Sequence, residues 1–123
     1  MMDEFYGQRV SILRPAKISG RYGGDERLSY DLDDGATLTE VPFGVDMQPR
    51  TELELGADEG RVSIQIGYEL HTPPGHDLDL TATDRIVYAG RHLDVDGDVH
   101  RWPSVEYPGG VDHVEVALTF YAG

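Results

Sequence analysis

The sequence contains no cysteine. Disulfides and thiolate metal sites are therefore excluded, and the chain is compatible with assembly in a reducing cytoplasm. No apolar run reaches the roughly 18 residues that a bilayer-spanning helix needs. The stretch from Met1 to Gly7 begins acidic and lacks the apolar segment of a secretory signal. No membrane association is expected. Basic residues are scarce, with 10 Lys and Arg against 23 Asp and Glu, for a net charge of −13. Nucleic-acid binding draws most of its free energy from cations displacing counterions at phosphates, so this balance argues against a dedicated DNA or RNA binder. Helical patterning is also poor. Seven prolines and 15 glycines are scattered through the chain, and no amphipathic helical stretch survives them. A short helix or turn near Pro73 to Asp79 is the nearest approach.

What the sequence does carry is period-two alternation, which places side chains on opposite faces of a sheet. Val62, Ile64, Ile66, Tyr68 and Leu70 alternate with Ser63, Gln65, Gly67 and Glu69. Val114, Val116, Leu118 and Phe120 alternate with Glu115, Ala117, Thr119 and Tyr121. Shorter strands are expected at Arg9 to Leu13, around Leu28, Tyr30 and Leu32 before Asp33-Asp34-Gly35, and at Ile86 and Tyr88. Thr37, Thr39, Val41, Phe43, Val45 and Met47 share one parity, interrupted by Pro42 and Gly44. Pro cannot donate to a ladder, so this segment is expected to be an edge strand or to carry a bulge. Leu93 and Val95 lead into Asp96-Gly97-Asp98, a hairpin signal. A two-residue turn pairs Val95 with Asp98 and a three-residue loop pairs it with Val99, which leaves the register open.

The 123 residues are expected to form one domain, residues 1–123, with an all-β fold: a small β-barrel or sandwich-like domain with long loops. Two connections are long. Ser19 to Asp25 is flexible and polar. Arg50 to Gly60 lies between two strand candidates and carries Glu52 and Glu54 before Gly56, and Asp58 and Glu59 between Gly56 and Gly60. Connections of this length in a compact domain are usually functional or disordered.

Candidate chemistry is thin. Asp94, Asp96 and Asp98 alternate as in calcium loops, but Gly97 precedes the third Asp and no Glu follows until Glu106, so a polar hairpin tip is the better reading. His71, His76, Asp77 and Asp79 offer metal-ligand types, but the intervening Thr72-Pro73-Pro74-Gly75 reads as a turn that fixes no pair of imidazoles. No nucleophile elbow and no phosphate-cradling glycine loop is present. No catalytic residue, metal or cofactor is expected, and the chain is not expected to be an enzyme. Trp102, before Pro103, reads as a core or interface anchor.

Taken in order, several segments resemble the head closure, or stopper, proteins of long-tailed phages, also called head-tail joining proteins, especially those of phages infecting actinobacteria. Gln8-Arg9-Val10-Ser11-Ile12-Leu13-Arg14 is similar to the family's opening strand. Val45-Asp46-Met47-Gln48-Pro49 matches the end of its second strand, and Arg61-Val62-Ser63-Ile64-Gln65-Ile66-Gly67-Tyr68 its third. Asp84 to Val95 matches a short strand and hairpin, and His113-Val114-Glu115-Val116-Ala117-Leu118 its closing strand. The likeness runs nearly end to end, carried by the order and spacing of the pieces.

The resemblance implies a structural virion protein in the neck of the particle, forming a homo-oligomeric ring, expected to be a hexamer, below the portal and adaptor. The tail terminator would dock on its far side, and genomic DNA would pass through the lumen without sequence-specific binding. By position alone, the loop that plugs the channel falls on Arg50, Glu52, Glu54, Gly56, Asp58, Glu59 and Gly60. Arg14, Tyr22, Arg101 and Trp102 are candidate ring or partner contacts. An acidic surface would then sit near DNA without holding it. Alternatives are a neighbouring connector or tail-terminator subunit, or a β-sandwich module binding a sugar or peptide on an aromatic platform of Tyr68, Trp102 and Tyr107.

Overall fold

The computed structural model describes residues 5–19, 26–55, 61–106 and 109–121, with side chains except at 52–55 and 61–64. Among the described residues there are nine strands: β1 (Ser11–Arg14), β2 (Ala16–Ile18), β3 (Arg27–Ser29), β4 (Thr37–Glu40), β5 (Asp46–Leu55), β6 (Arg61–His71), β7 (Arg85–Tyr88), β8 (Arg91–Pro103) and β9 (Val111–Phe120). Seven form one antiparallel sheet in the order β4-β1-β7-β8-β9-β6-β5, and β2 pairs with β3 in a small second sheet. The fold is all-β, as the alternation predicts.

The two edge strands of the large sheet, β4 and β5, are consecutive in the chain, separated only by the corner Val41 to Val45. The sheet therefore curls on itself. The chain before β1 meets the start of β5 through the isolated Gln8–Val45 bridge, and a hydrogen bond from the Val41 amide to the Val10 carbonyl carries the β1–β4 pairing into the corner. No continuous ladder closes the ring, so the architecture is sandwich-like and not a closed barrel. Gly44 permits the corner, because a Cβ there would collide with the Tyr6 carbonyl. Val41, Val45 and Met47 stay buried through it, so the single-parity run predicted from sequence keeps its inward face across the bend. Pro49 sits on edge strand β5, where its missing amide costs no interior ladder bond.

Inward residues of the central strands build the core: Leu70, Ile86, Leu93, Val114, Val116 and Leu118 are all at or below 1% exposure. A curled sheet leaves one side of this core open. The segment Thr72 to Asp84, between β6 and β7, covers it with Leu78 and Leu80. It is a turn-rich strap, and the helix considered near Pro73 does not form.

Non-repetitive backbone over a core must find partners outside a ladder. Thr72 Oγ1 accepts from the Val114 amide at 2.8 Å and donates to the His76 carbonyl at 2.7 Å. Arg101 donates to the carbonyls of Leu78 and Leu80 at 2.9 and 2.8 Å. Arg14 donates to the Asp79 carbonyl at 2.9 Å and grips buried Asp84 through Nε and Nη2 at 3.1 and 2.9 Å. Asp84 also accepts from the Thr81 amide at 2.8 Å. Its hydrogen bonds to Asp84 and then Asp79 push the Arg14 guanidinium pKa up.

The predicted hairpin at Asp96-Gly97 does not exist. β8 runs unbroken from Arg91 to Pro103, and the Asp-Gly signal marks a bulge in which the register against β9 jumps between Asp96 and His100. Gly97 takes φ +85° there. The true two-residue hairpin is Ala89-Gly90, with φ of +51° and +78° closing Tyr88 onto Arg91. Ala is a poor left-handed residue, so the sequence gives this turn little signal.

Removing the buried Asp84 carboxylate takes away the acceptor of two Arg14 hydrogen bonds and of the Thr81 amide and leaves a cavity, so Asp84→Ala should lower unfolding free energy in urea by about 2–4 kcal/mol. Asp79→Ala, whose side chain is exposed, should cost less than about 1 kcal/mol. Equal losses would show that the strap is not anchored through Asp84.

Candidate functional site

Two regions stand out: a hairpin arm at one end of the sheet, and a band of imidazoles and carboxylates on its outer face.

The arm is built by β5 and β6. These strands pair from Asp46↔His71 to Leu55↔Arg61, but β9 pairs with β6 only from His71 to Gly67. Five pairs, Thr51↔Gln65 through Leu55↔Arg61, therefore run past the last β9 pairing. At the usual rise per residue this is an extension of about 17 Å. The register shifts at the base of the arm, where Arg50 faces Gly67 and Thr51 faces Gln65, leaving Ile66 as the extra residue of a bulge. Gly67 is required by contact, since a Cβ would strike the Leu118 carbonyl. Arg50 reaches across this gap, donating to the Leu118 carbonyl at 3.0 Å and to Asp96 at 3.2 Å.

These features revise the long-loop expectation. Arg50, Glu52 and Glu54 belong to β5 and not to a loop. Arg50 is a tether at the arm's base. Gly56, Asp58, Glu59 and Gly60 fall in the connection 56–60, outside the described residues, as does Tyr22. The other candidate contacts separate in role. Arg14 and Arg101 are intramolecular clamps on the strap. Trp102 remains 48% exposed and stacks on His113 with centroids 6.1 Å apart. Tyr68 packs against Tyr88 and Phe120 beside the core, so it forms no platform with Trp102, and Tyr107 is outside the described residues.

The outer-face band centres on β9 and β6. His71 lies opposite Glu115, and Trp102 opposite His113. His71 is bracketed by Glu69 at 3.2 Å from Nε2 and Glu115 at 3.4 Å from Nδ1. His113 is bracketed in the same way, by Asp112 at 2.7 Å from Nδ1 and Glu115 at 3.2 Å from Nε2. One Glu115 oxygen thus faces both rings. His76, paired with His71 in the sequence reading, instead packs at a tilt against Phe43, with ring centroids 4.5 Å apart. Asp94 and Asp96, read as a polar tip, are held by Arg85 at 2.9 Å and Arg50 at 3.2 Å. Strand pairing created the band, and the only sequence signal for it was the i, i+2 spacing of Glu69/His71 and His113/Glu115.

Two concavities lie beside the strap. A cavity of about 290 Å³ lies between β1, β4, the corner and the strap. A shallower groove of about 740 Å³ runs between the strap and β8, ending at Trp102 and Pro103. The carboxylates near the first are engaged: Glu40 with Arg9, Asp79 with Arg14, Asp77 with Arg101.

No family model matches the chain, and no curated protein matches it. Among solved structures, the phage-like element PBSX protein xkdH from Bacillus subtilis is similar at 13% identity and a TM-score of 0.46, over 92% of each chain.

The hydrogen bond to Asp112 raises the His113 pKa above its ordinary 6.5, against the opposing effect of burial, and Glu115 adds to the rise. Burial pushes Glu115 up. Hydrogen bonds from His113 and Trp102 and the nearby imidazoles outweigh it, leaving the carboxyl below its ordinary 4.5. That direction is opposite to what a general acid needs.

Stabilisation by protonated His113 is complete below its unfolded-state value and is lost as pH rises through the raised folded value. Stabilisation by Glu115 is present above its unfolded value and is lost as pH falls through the lowered one. In metal-free buffer, the urea midpoint of the wild type relative to His113→Gln should therefore be highest near about pH 5–6 and shrink above neutrality. A difference that stays flat from about pH 5 to 8 would mean that the pairs do not persist in solution.

Proposed function

We propose that this chain is a non-enzymatic structural subunit of a tailed-phage head-to-tail connector, assembling as a ring below the portal and adaptor, with the tail terminator on its far side. The observation that carries the reading is the β5–β6 arm. It occupies the position that the sequence resemblance assigns to the channel loop, and it extends from the sheet as a two-stranded ladder, a stiffer element than a free loop. A ring subunit needs two different patches for head-to-tail contacts, and the edges β4 and β5 offer separate ones. The predominance of strand weighs against a tail-terminator subunit, for which a mixture of helix and sheet is expected.

In this reading the arm reaches into the lumen. Its sequence is acidic, with Glu52, Glu54, Asp58 and Glu59 between Arg50 and Arg61. Negative charge facing phosphate favours sliding over retention. Holding DNA before the tail joins then falls to steric occlusion by the arm. Because Arg50 is tied to β9, movement would concentrate beyond the bulge at Ile66-Gly67.

Replacing residues 56–60 with an Asn-Gly turn shortens the arm and leaves the described ladder in place. Phage carrying this change should package DNA but lose it before tail attachment, seen as filled heads becoming nuclease-sensitive. Heads that stay full and protected would remove the arm from the gate.

A further inference from the structure

The hydrogen bonds of the outer-face band are complete only when its imidazoles carry a proton on both ring nitrogens. A neutral imidazole carries one N–H, yet both His71 and His113 present each ring nitrogen to a carboxylate. If the short 2.7 Å contact fixes the His113 proton on Nδ1 toward Asp112, Nε2 directs a lone pair at the Glu115 oxygen 3.2 Å away. This is the orientation of a carboxylate–histidine–metal triad, in which a carboxylate holds one ring nitrogen so that the other can bind an ion. Next to it, Glu69, His71 and Glu115 each offer a ligand atom, all within 4.8 Å of one another.

The strands that hold these groups are central. Glu69 and His71 share a face of β6, Glu115 lies opposite His71 on β9, and the β6–β9 pairing is continuous from Gly67 to His71. The donors are therefore placed by backbone register and not by a loop.

We infer that Glu69, His71 and Glu115 form a site for a divalent transition-metal ion of the zinc class, with His113, oriented by Asp112, beside it against the shared Glu115 oxygen. Imidazole and carboxylate together suit Zn²⁺, Co²⁺ or Ni²⁺, whereas Ca²⁺ and Mg²⁺ prefer all-oxygen shells. A bound cation would place positive charge between the Glu69 and Glu115 oxygens and the His71 ring and would cross-link β6 to β9 toward the end of their pairing away from the arm.

The test uses the full chain, stripped of metal with a chelator that is then removed, at about pH 7.5, above the ordinary imidazole value of about 6.5. Titration with Co²⁺ should give one equivalent of binding with visible d–d absorption, displaced by Zn²⁺. Saturating Zn²⁺ should raise Tm by roughly 5–10 °C. His71→Gln and Glu115→Gln should each weaken binding at least tenfold, while His92→Ala, outside the band, should not. Circular dichroism establishes that each variant is folded, and isothermal titration with Zn²⁺ reads affinity independently of stability. Absence of Co²⁺ and Zn²⁺ binding would overturn the proposal and assign the band to protons alone. Binding unchanged in folded His71→Gln and Glu115→Gln would overturn it by placing the ion elsewhere.

Discussion

A single curled sheet cannot enclose its own core, and everything else in this molecule depends on the strap that covers the open side. Leu78 and Leu80 supply the apolar surface, but they can do so only because the backbone carrying them is satisfied. Two arginines and a threonine perform that task. Arg101 takes the carbonyls of Leu78 and Leu80, Arg14 takes that of Asp79 and the carboxylate of Asp84, and Thr72 bonds both ways between the strap and β9. Charge-assisted, bidentate contacts suit this role because one guanidinium fork serves several acceptors from a fixed geometry.

The same logic of local relief governs the arm. A ladder that leaves its sheet must part from the neighbouring strand. The parting point is a bulge, where glycine admits the Leu118 carbonyl and Arg50 caps it. The base of the arm is thereby stiff while its length beyond β9 is held by one neighbour only.

The fold was legible where alternation was long and uninterrupted. β9 buries Val114, Val116 and Leu118 as its pattern requires, and Val41, Val45 and Met47 keep one face through the corner. Legibility failed where a turn signal and a bulge signal share the same residues. Asp96-Gly97-Asp98 meets the requirement for positive φ equally well in a hairpin or in the middle of β8, and only the pairing of β9 with both halves of β8 decides between them. The Arg50 to Gly60 connection was overestimated for a related reason: Glu52-Leu53-Glu54-Leu55 does alternate, but the run is short and follows Pro49 and the register shift at Arg50/Thr51, so Arg50 to Leu55 reads as loop although the ladder continues through it.

The sequence by itself determined the all-β class, the inward faces of the long strands, the strongly acidic surface and the absence of thiol chemistry, because these follow from residue types and near-neighbour spacing. Only the tertiary structure decided that Arg14 and Arg101 turn inward as clamps, that His71 meets Glu115 and not His76, and that the β5–β6 hairpin outruns its sheet. Each of these depends on which strands lie side by side, and strand order is set by contacts between residues tens of positions apart, which no local pattern encodes.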